Sequence, residues 1–308
     1  MTLQYDEDQR PYIDFGGDIR LALDLSDYLD DEATMAKARE DIRQTPEATA
    51  EGLREFRELL KGEPDLKVPN DDEYLLQFLR PTKFYAKSAF ELIKGYYKIK
   101  AKKGFIVDNI SASAVSVALE ERIVQVFPRR DQHGRRIIFL QMGAAWNCSK
   151  VPFPEMIRAV HTVVTLVQME PRTQLHGVVY ITNFDSLSLS QLGQFTPKFM
   201  KNMLDYGQKC SPMRLKGINL INNSRIFNIL FKMSKPFLGQ KWGNRIFMHG
   251  SDLTALHKQI DPSCLPPWLG GSCDFAAYDG KLLVEFMNHY RSRFDELNSY
   301  GYVDDITT

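Results

Sequence analysis

Six histidines and four cysteines are the side chains of this 308-residue chain best suited to metal or covalent chemistry. His249, His257, Cys264 and Cys273 fall close together, but their intervals match no zinc finger and no cysteine pair has C-x-x-C spacing, so no metal is expected. His161 stands alone on an apolar helical stretch, where a packed core histidine is commoner than a general base. Asp185 follows an apolar run at a place where an α/β enzyme could put a catalytic acid. Without a nucleophile and base beside it, it reads as a turn-capping residue. The chain holds no G-x-S-x-G elbow, P-loop, G-x-G-x-x-G or H-E-x-x-H, so neither an enzyme nor a cofactor is expected.

The chemistry that remains is recognition of charge and of apolar surface. Phe237, Leu238 and Trp242 interleave with Lys235, Lys241 and Arg245. That is the composition of a membrane-docking edge, where each basic residue gains about 1 kcal/mol from anionic lipid; a basic surface loop without partners has the same composition. The preceding helix, Ser224 to Leu238, is wider in its apolar arc than one buried face requires. At about 100° per residue, Ile226, Ile229, Leu230, Met233 and Phe237 cluster, and Phe227, Phe231 and Leu238 extend the arc to roughly 200°. A core helix sandwiched between layers accounts for this; so does a lid with one side over a cavity and the other toward lipid.

Such a lid needs a floor and walls. Lys+Arg and Asp+Glu both total 39, which suggests no general polyanion binder and no nucleic-acid partner. Residues 1–35 carry ten acids against Arg10 and Arg20, so an acidic start precedes a basic body. The cysteines lack a framework spacing and the N-terminus lacks an apolar signal segment, which predicts a reduced, cytoplasmic protein. No run approaches the roughly 20 apolar residues of a bilayer span, so any membrane association is expected to be peripheral and transient.

Residues 1–26 read as a mobile acidic arm. Residues 27–109 read as an all-helical module: Asp27 to Arg43, Pro46 to Leu60 behind the N-cap Thr45, a helix capped by Asn70-Asp71-Asp72 and ended by Pro81, and Ala86 to Lys103. Within 110–275, Arg122 to Phe127 and Arg136 to Met142 predict strands joined by a hairpin-like turn, and Pro154 to Glu170 is a nearly uncharged helix. The runs Val178–Ile181, Ile218–Ile221 and Ile246–Met248, separated by helical Gln194–Gln208 and Ser224–Leu238, predict an α/β fold with a parallel or mixed sheet covered on both faces. Residues 276–308 hold a last amphipathic helix, Lys281 to Phe294, and a tail.

Four segments resemble one known family. KPFLGQKWGNRIFMHG, 235–250, is similar to the KPFL…HG segment of CRAL-TRIO lipid-transfer proteins, and MRLKGINLINNSRIFNILF, 213–231, to the preceding strand and gate helix. DEYLLQFLRPTKF resembles the LLRFLRARKF signature, and DPSCLPPWLGG the closing LPxEYGG. The motifs run in the family's order from about Asp71 to Gly271, most like the branch of α-tocopherol transfer protein, clavesin and cellular retinaldehyde-binding protein. The resemblance implies a mixed, mainly parallel sheet with covering helices around a lipid cavity. It implies a monomeric, non-enzymatic carrier of one small hydrophobic ligand, a retinoid, tocopherol or similar isoprenoid, exchanged at phosphoinositide-containing membranes. A trafficking adaptor that keeps the fold without shuttling cargo is the alternative.

By position in the motifs, the branch's phosphoinositide-binding basics fall on Arg214, Lys216, Lys241 and Arg245. A further arginine falls on Thr82, with Lys83 beside it, and the headgroup acid of the phosphatidylinositol-transfer branch falls on Met213. Candidate cavity residues follow from alternation on strands and spacing on helices: Val178, Tyr180 and Thr182; Ile218 and Leu220; Ile157, Val160, His161 and Val164; Phe195, Phe199, Met203 and Tyr206; and Phe227, Leu230 and Phe231. Among them Thr182, Tyr180, His161 and Tyr206 could fix a hydroxyl or carbonyl.

Overall fold

The computed structural model describes residues 1–102, 106–143, 145–223 and 225–303. Lys103, Ser224 and the last five residues of the expected tail lie outside the described residues.

The chain opens with a three-stranded antiparallel sheet, β1 (Thr2–Tyr5), β2 (Pro11–Gly16) and β3 (Ile19–Ala22). This corrects the expected mobile arm. The acids occupy turns and outward positions: the Asp6 carboxylate accepts from the backbone of Asp8 and Arg10, and Gly16 and Gly17 supply the positive φ of the second turn. Between the charges, short alternating apolar residues point inward, so Ile13, Leu21 and Leu23 are buried. Phe15 packs edge-on against Phe275 and Tyr278. The segment is strapped down beyond β3, where Asp24 N–H donates to the buried Glu170 carboxylate at 3.0 Å. Burial opposes that charge, but Arg136 and Arg130 outweigh it and hold the carboxyl below its ordinary range.

Helices Glu32–Ile42, Pro46–Lys61, Asp72–Leu79 and Ala86–Lys100 follow. Asp31, Thr45 and Asp71 cap the first three, each accepting a backbone N–H from the first turn. A short strand, β4 (Leu66–Lys67), interrupts the expected all-helical run.

The central sheet has five strands in chain order: β5 (Val124–Val126), β6 (Arg136–Gln141), β7 (Val178–Asn183), β8 (Leu215–Ile221) and β9 (Ile246–Gly250). β5 pairs antiparallel with β6, and the other pairs are parallel. The register sets Thr182 between Leu140 and Leu220, and Ile218 between Tyr180 and Ile246. The opposite face carries Ile137, Phe139, Val179 and Ile181, packed with Leu256, Ile260 and Leu265. The near-continuous apolar runs therefore serve two cores at once. Helices Phe153–Val167 and Pro197–Lys209 cover the first face, together with Arg225–Ser234 and a 3₁₀ turn, Lys235–Phe237. The last amphipathic stretch is two helices, Gly280–His289 and Arg291–Ser299, parted at Tyr290. β10 (Gly301–Tyr302) then pairs with β4 and closes the chain onto the helical module.

Candidate functional site

Two apolar cavities of about 190 and 180 Å³ lie between the sheet and its covering helices. Both are walled by Leu140, Ile157, Val160, Thr182, Met203, Leu204, Ile218 and Trp242, so they are two lobes of one space. The helix Phe153–Val167 turns Ile157, Val160, His161 and Val164 toward it, a spacing of three, four and seven residues that keeps one face inward. Tyr180 and Thr182 alternate on β7, and Tyr206 closes the first lobe. Phe195, Leu220, Phe227, Leu230 and Phe231 line the second. Two of the residues singled out by sequence sit elsewhere. Val178 is fully buried at the start of its strand, and Phe199 packs its ring on Phe153 at 5.4 Å.

The helix Arg225–Ser234 divides its wide apolar arc between two sides. Phe227 and Leu230 are buried, and Phe227 meets the Phe184 ring at 4.5 Å. Ile229 on the outer side is 49% exposed. The segment after it is held by one side chain: Gln208 donates to the Phe237 carbonyl at 2.9 Å and accepts from Gly239 N–H at 2.7 Å. A single amide thus fastens the end of this helix to Pro197–Lys209.

Next to the lobes lies a polar basin of about 570 Å³, where Lys83, Arg214, Lys216, Lys241 and Arg245 surround Asp41. Arg214 precedes β8, Lys216 lies within it, and Arg245 immediately precedes β9, so parallel pairing brings them to one edge of the sheet. Arg214 donates to the Leu175 carbonyl and Arg245 to that of Leu215, which fixes both guanidinium groups. Lys216 reaches Asp41 at 3.7 Å. Burial, then the nearby Arg214, pushes the Lys216 ammonium down to about 8. Burial and the charges of Arg245, Arg214 and Lys83 lower Lys241 as well, and burial lowers Arg245. Asp41 offsets only part of this positive charge, an arrangement with the chemistry to take a multiply charged anion. Thr82 donates back to the Phe78 and Leu79 carbonyls, so Lys83, not residue 82, supplies the cation at that corner.

Trp242 belongs to both spaces. Its ring stands against Gly207, where a Cβ would come within 2.4 Å of the indole, and it borders the basin and both lobes. The sequence marks Trp242 as a docking residue; the fold makes it a shared wall. Leu204, Met200, Leu140 and Phe153 also line the lobes and were not foreseen. Their helical and strand spacing was the available signal. Met213 borders the basin and the first lobe, and its sulfur accepts from the Tyr180 hydroxyl at 3.4 Å.

His257 and His249 have structural partners: the first bonds the Leu269 carbonyl at 2.8 Å, the second Asn219 at 3.0 Å. Cys264 and Cys273 pack with the far-face core. No helix among the described residues is long and apolar enough to cross a membrane.

The family model described as the CRAL/TRIO domain matches residues 120–271. Alpha-tocopherol transfer protein-like from Homo sapiens is 33% identical over 258 residues, covering 82% of this chain and 75% of that protein. Clavesin-1 from Rattus norvegicus is 29% identical over 242 residues, 78% and 68% of the two chains. The crystal structure of Sfh5 aligns with 70% of this chain and 82% of its own at a TM-score of 0.42 and 10% identity, too distant to carry an argument. The chain belongs to the CRAL-TRIO family.

Proposed function

We propose that this chain is a non-enzymatic intracellular carrier that holds one small hydrophobic molecule in the two-lobed cavity and exchanges it at phosphoinositide-bearing membranes. The observation that carries the proposal is the adjacency of an apolar cavity to a crowded basic basin, with Trp242 in the wall of both. In this reading the cavity residues contact the ligand, a retinoid, tocopherol or related isoprenoid, and hold it by burying apolar surface at about 25 cal/mol per Å². A relative named for tocopherol transfer supports that ligand class. Arg214, Lys216, Lys241 and Arg245, with Lys83, take the phosphate groups. The helix Arg225–Ser234 is the gate, its outer Ile229 meeting lipid as its inner face opens. A basin anion shifts the gate only by binding the open form better, and the Gln208 clamp is the contact such opening must break. The protein is soluble and monomeric between encounters.

Extraction of the purified protein with organic solvent, followed by mass spectrometry, tests the carrier role. One stoichiometric isoprenoid-sized lipid is the expected result. An empty protein that also fails to take up retinoid or tocopherol would overturn it and favour the adaptor.

A further inference from the structure

The first lobe contains one polar group whose bonding is unfinished. His161 is 7% exposed and lines the lobe. Its Nδ1 lies 3.1 Å from the Tyr206 hydroxyl, while Nε2, shielded from water, has no partner among the described residues. A buried imidazole nitrogen left unbonded costs about 1–3 kcal/mol, so a built site of this kind wants a complement.

The direction of the bonds says which complement. Met213 N–H donates to the Ser211 hydroxyl oxygen at 3.3 Å, and a backbone N–H cannot accept. Ser211 in turn bonds the Tyr206 hydroxyl. The amide leaves Ser211 one lone pair and its own proton, and the arrangement in which every hydroxyl proton of the row is bonded has Ser211 donating to Tyr206 and the tyrosyl proton going to Nδ1. Burial, then Arg158 and Lys100, push the imidazole down to about 3, so it carries one proton at neutral pH. Nδ1 is the acceptor, and that proton sits on Nε2.

We infer that His161 Nε2–H is a hydrogen-bond donor presented to cargo in the first lobe, and that this cavity selects lipids bearing an acceptor oxygen, such as a carbonyl, over hydrocarbon of the same shape. The inference rests on the carrier reading and narrows its ligand class. The relay Met213–Ser211–Tyr206–His161 runs along the wall between basin and cavity, since Ser211 and Met213 border both. Tyr206 and Ser211 act as positioning residues that fix the tautomer; within this row, His161 alone bonds the ligand's oxygen.

The test is displacement of diphenylhexatriene from the purified full-length protein by an isoprenoid methyl ketone and by the hydrocarbon of the same skeleton. The native protein is expected to prefer the ketone by about tenfold, the worth of one good hydrogen bond. His161→Leu brings the ratio near one, and His161→Gln, which keeps an N–H donor, retains part of it. A native ratio near one, or a preference kept by His161→Leu, overturns the inference and leaves the carrier reading standing. If neither probe displaces the dye, the carrier reading falls and takes the inference with it. ¹⁵N spectra of histidine-labelled native protein supply a readout that needs no variant: a protonated Nε2 is expected for His161, and a protonated Nδ1 would contradict the relay.

Discussion

The basin gathers five basic side chains around one carboxylate in about 570 Å³, whereas the lobes beyond Trp242, of about 190 and 180 Å³, hold only His161, Tyr180 and Tyr206 as titratable groups among the described residues. Their cohesion differs accordingly. The lobes are stable because apolar walls bury one another and the few polar groups, His161 Nε2 excepted, find partners. In the basin, burial first and like charge second make Lys216, Lys241 and Arg214 release protons more readily than usual, and burial alone does the same to Arg245. One space is built with almost no charge, and the other gathers charge of one sign around a single carboxylate.

Substitutions on the two sides of the helix Arg225–Ser234 should separate packing from docking most strongly. Phe227→Ala removes a buried ring in contact with Phe184, and a loss of about 3–5 kcal/mol in denaturant unfolding is expected. Ile229→Ser, on the half-exposed outer side, should move stability by no more than about 0.5 kcal/mol while weakening vesicle binding. Equal stability losses would mean that both faces are core.

The next effect belongs to the basin. Replacing Lys241 and Arg245 together with Ala should cost about 2 kcal/mol of vesicle affinity, roughly thirtyfold in co-sedimentation with phosphoinositide vesicles. Unfolding stability should change by less than about 1 kcal/mol, because both groups are lowered by burial or like charge in the free protein. Vesicle binding that does not change removes the docking role.

Trp242 can be disturbed alone. Gly207→Ala places a methyl against the indole; about 1–3 kcal/mol of crowding, less about 1 kcal/mol of gained helix propensity, leaves a small destabilisation with shifted tryptophan emission. Unaltered emission would show that the indole does not seal the two spaces.

The smallest effect is that of pH. Lys216 in the free protein titrates at about 8, and a bound anion raises that value. Binding therefore takes up a proton in the window above 8, and vesicle affinity falls as pH rises through it, by less than about tenfold between pH 7 and 9. Affinity that is flat over that range would place Lys216 outside the contact.

Most of the cavity was legible because period and packing coincide: His161 and Val164 follow Ile157 at helical steps, and Tyr180 and Thr182 alternate on a strand. Val178 shared that alternation but lies at the strand start, where the core closes over it, a distinction set by depth and invisible to periodicity. The N-terminal sheet was hidden for a different reason. Its acids dominate the composition of residues 1–26, while Ile13, Leu21 and Leu23 gain their stability from tertiary packing, which local pattern does not report. The division of roles around Trp242 depends on Gly207, thirty-five residues away and unremarkable in sequence.

The central claim is that an anion in the basin loosens the gate over the cargo. It is tested most directly by stopped-flow release of a bound fluorescent isoprenoid to vesicles matched in total charge, with and without phosphoinositide bisphosphate. Faster release to the phosphoinositide vesicles is expected, with the acceleration lost in the Lys241→Ala, Arg245→Ala protein while the cargo stays bound. Equal release from both vesicle types by the native protein would contradict the account.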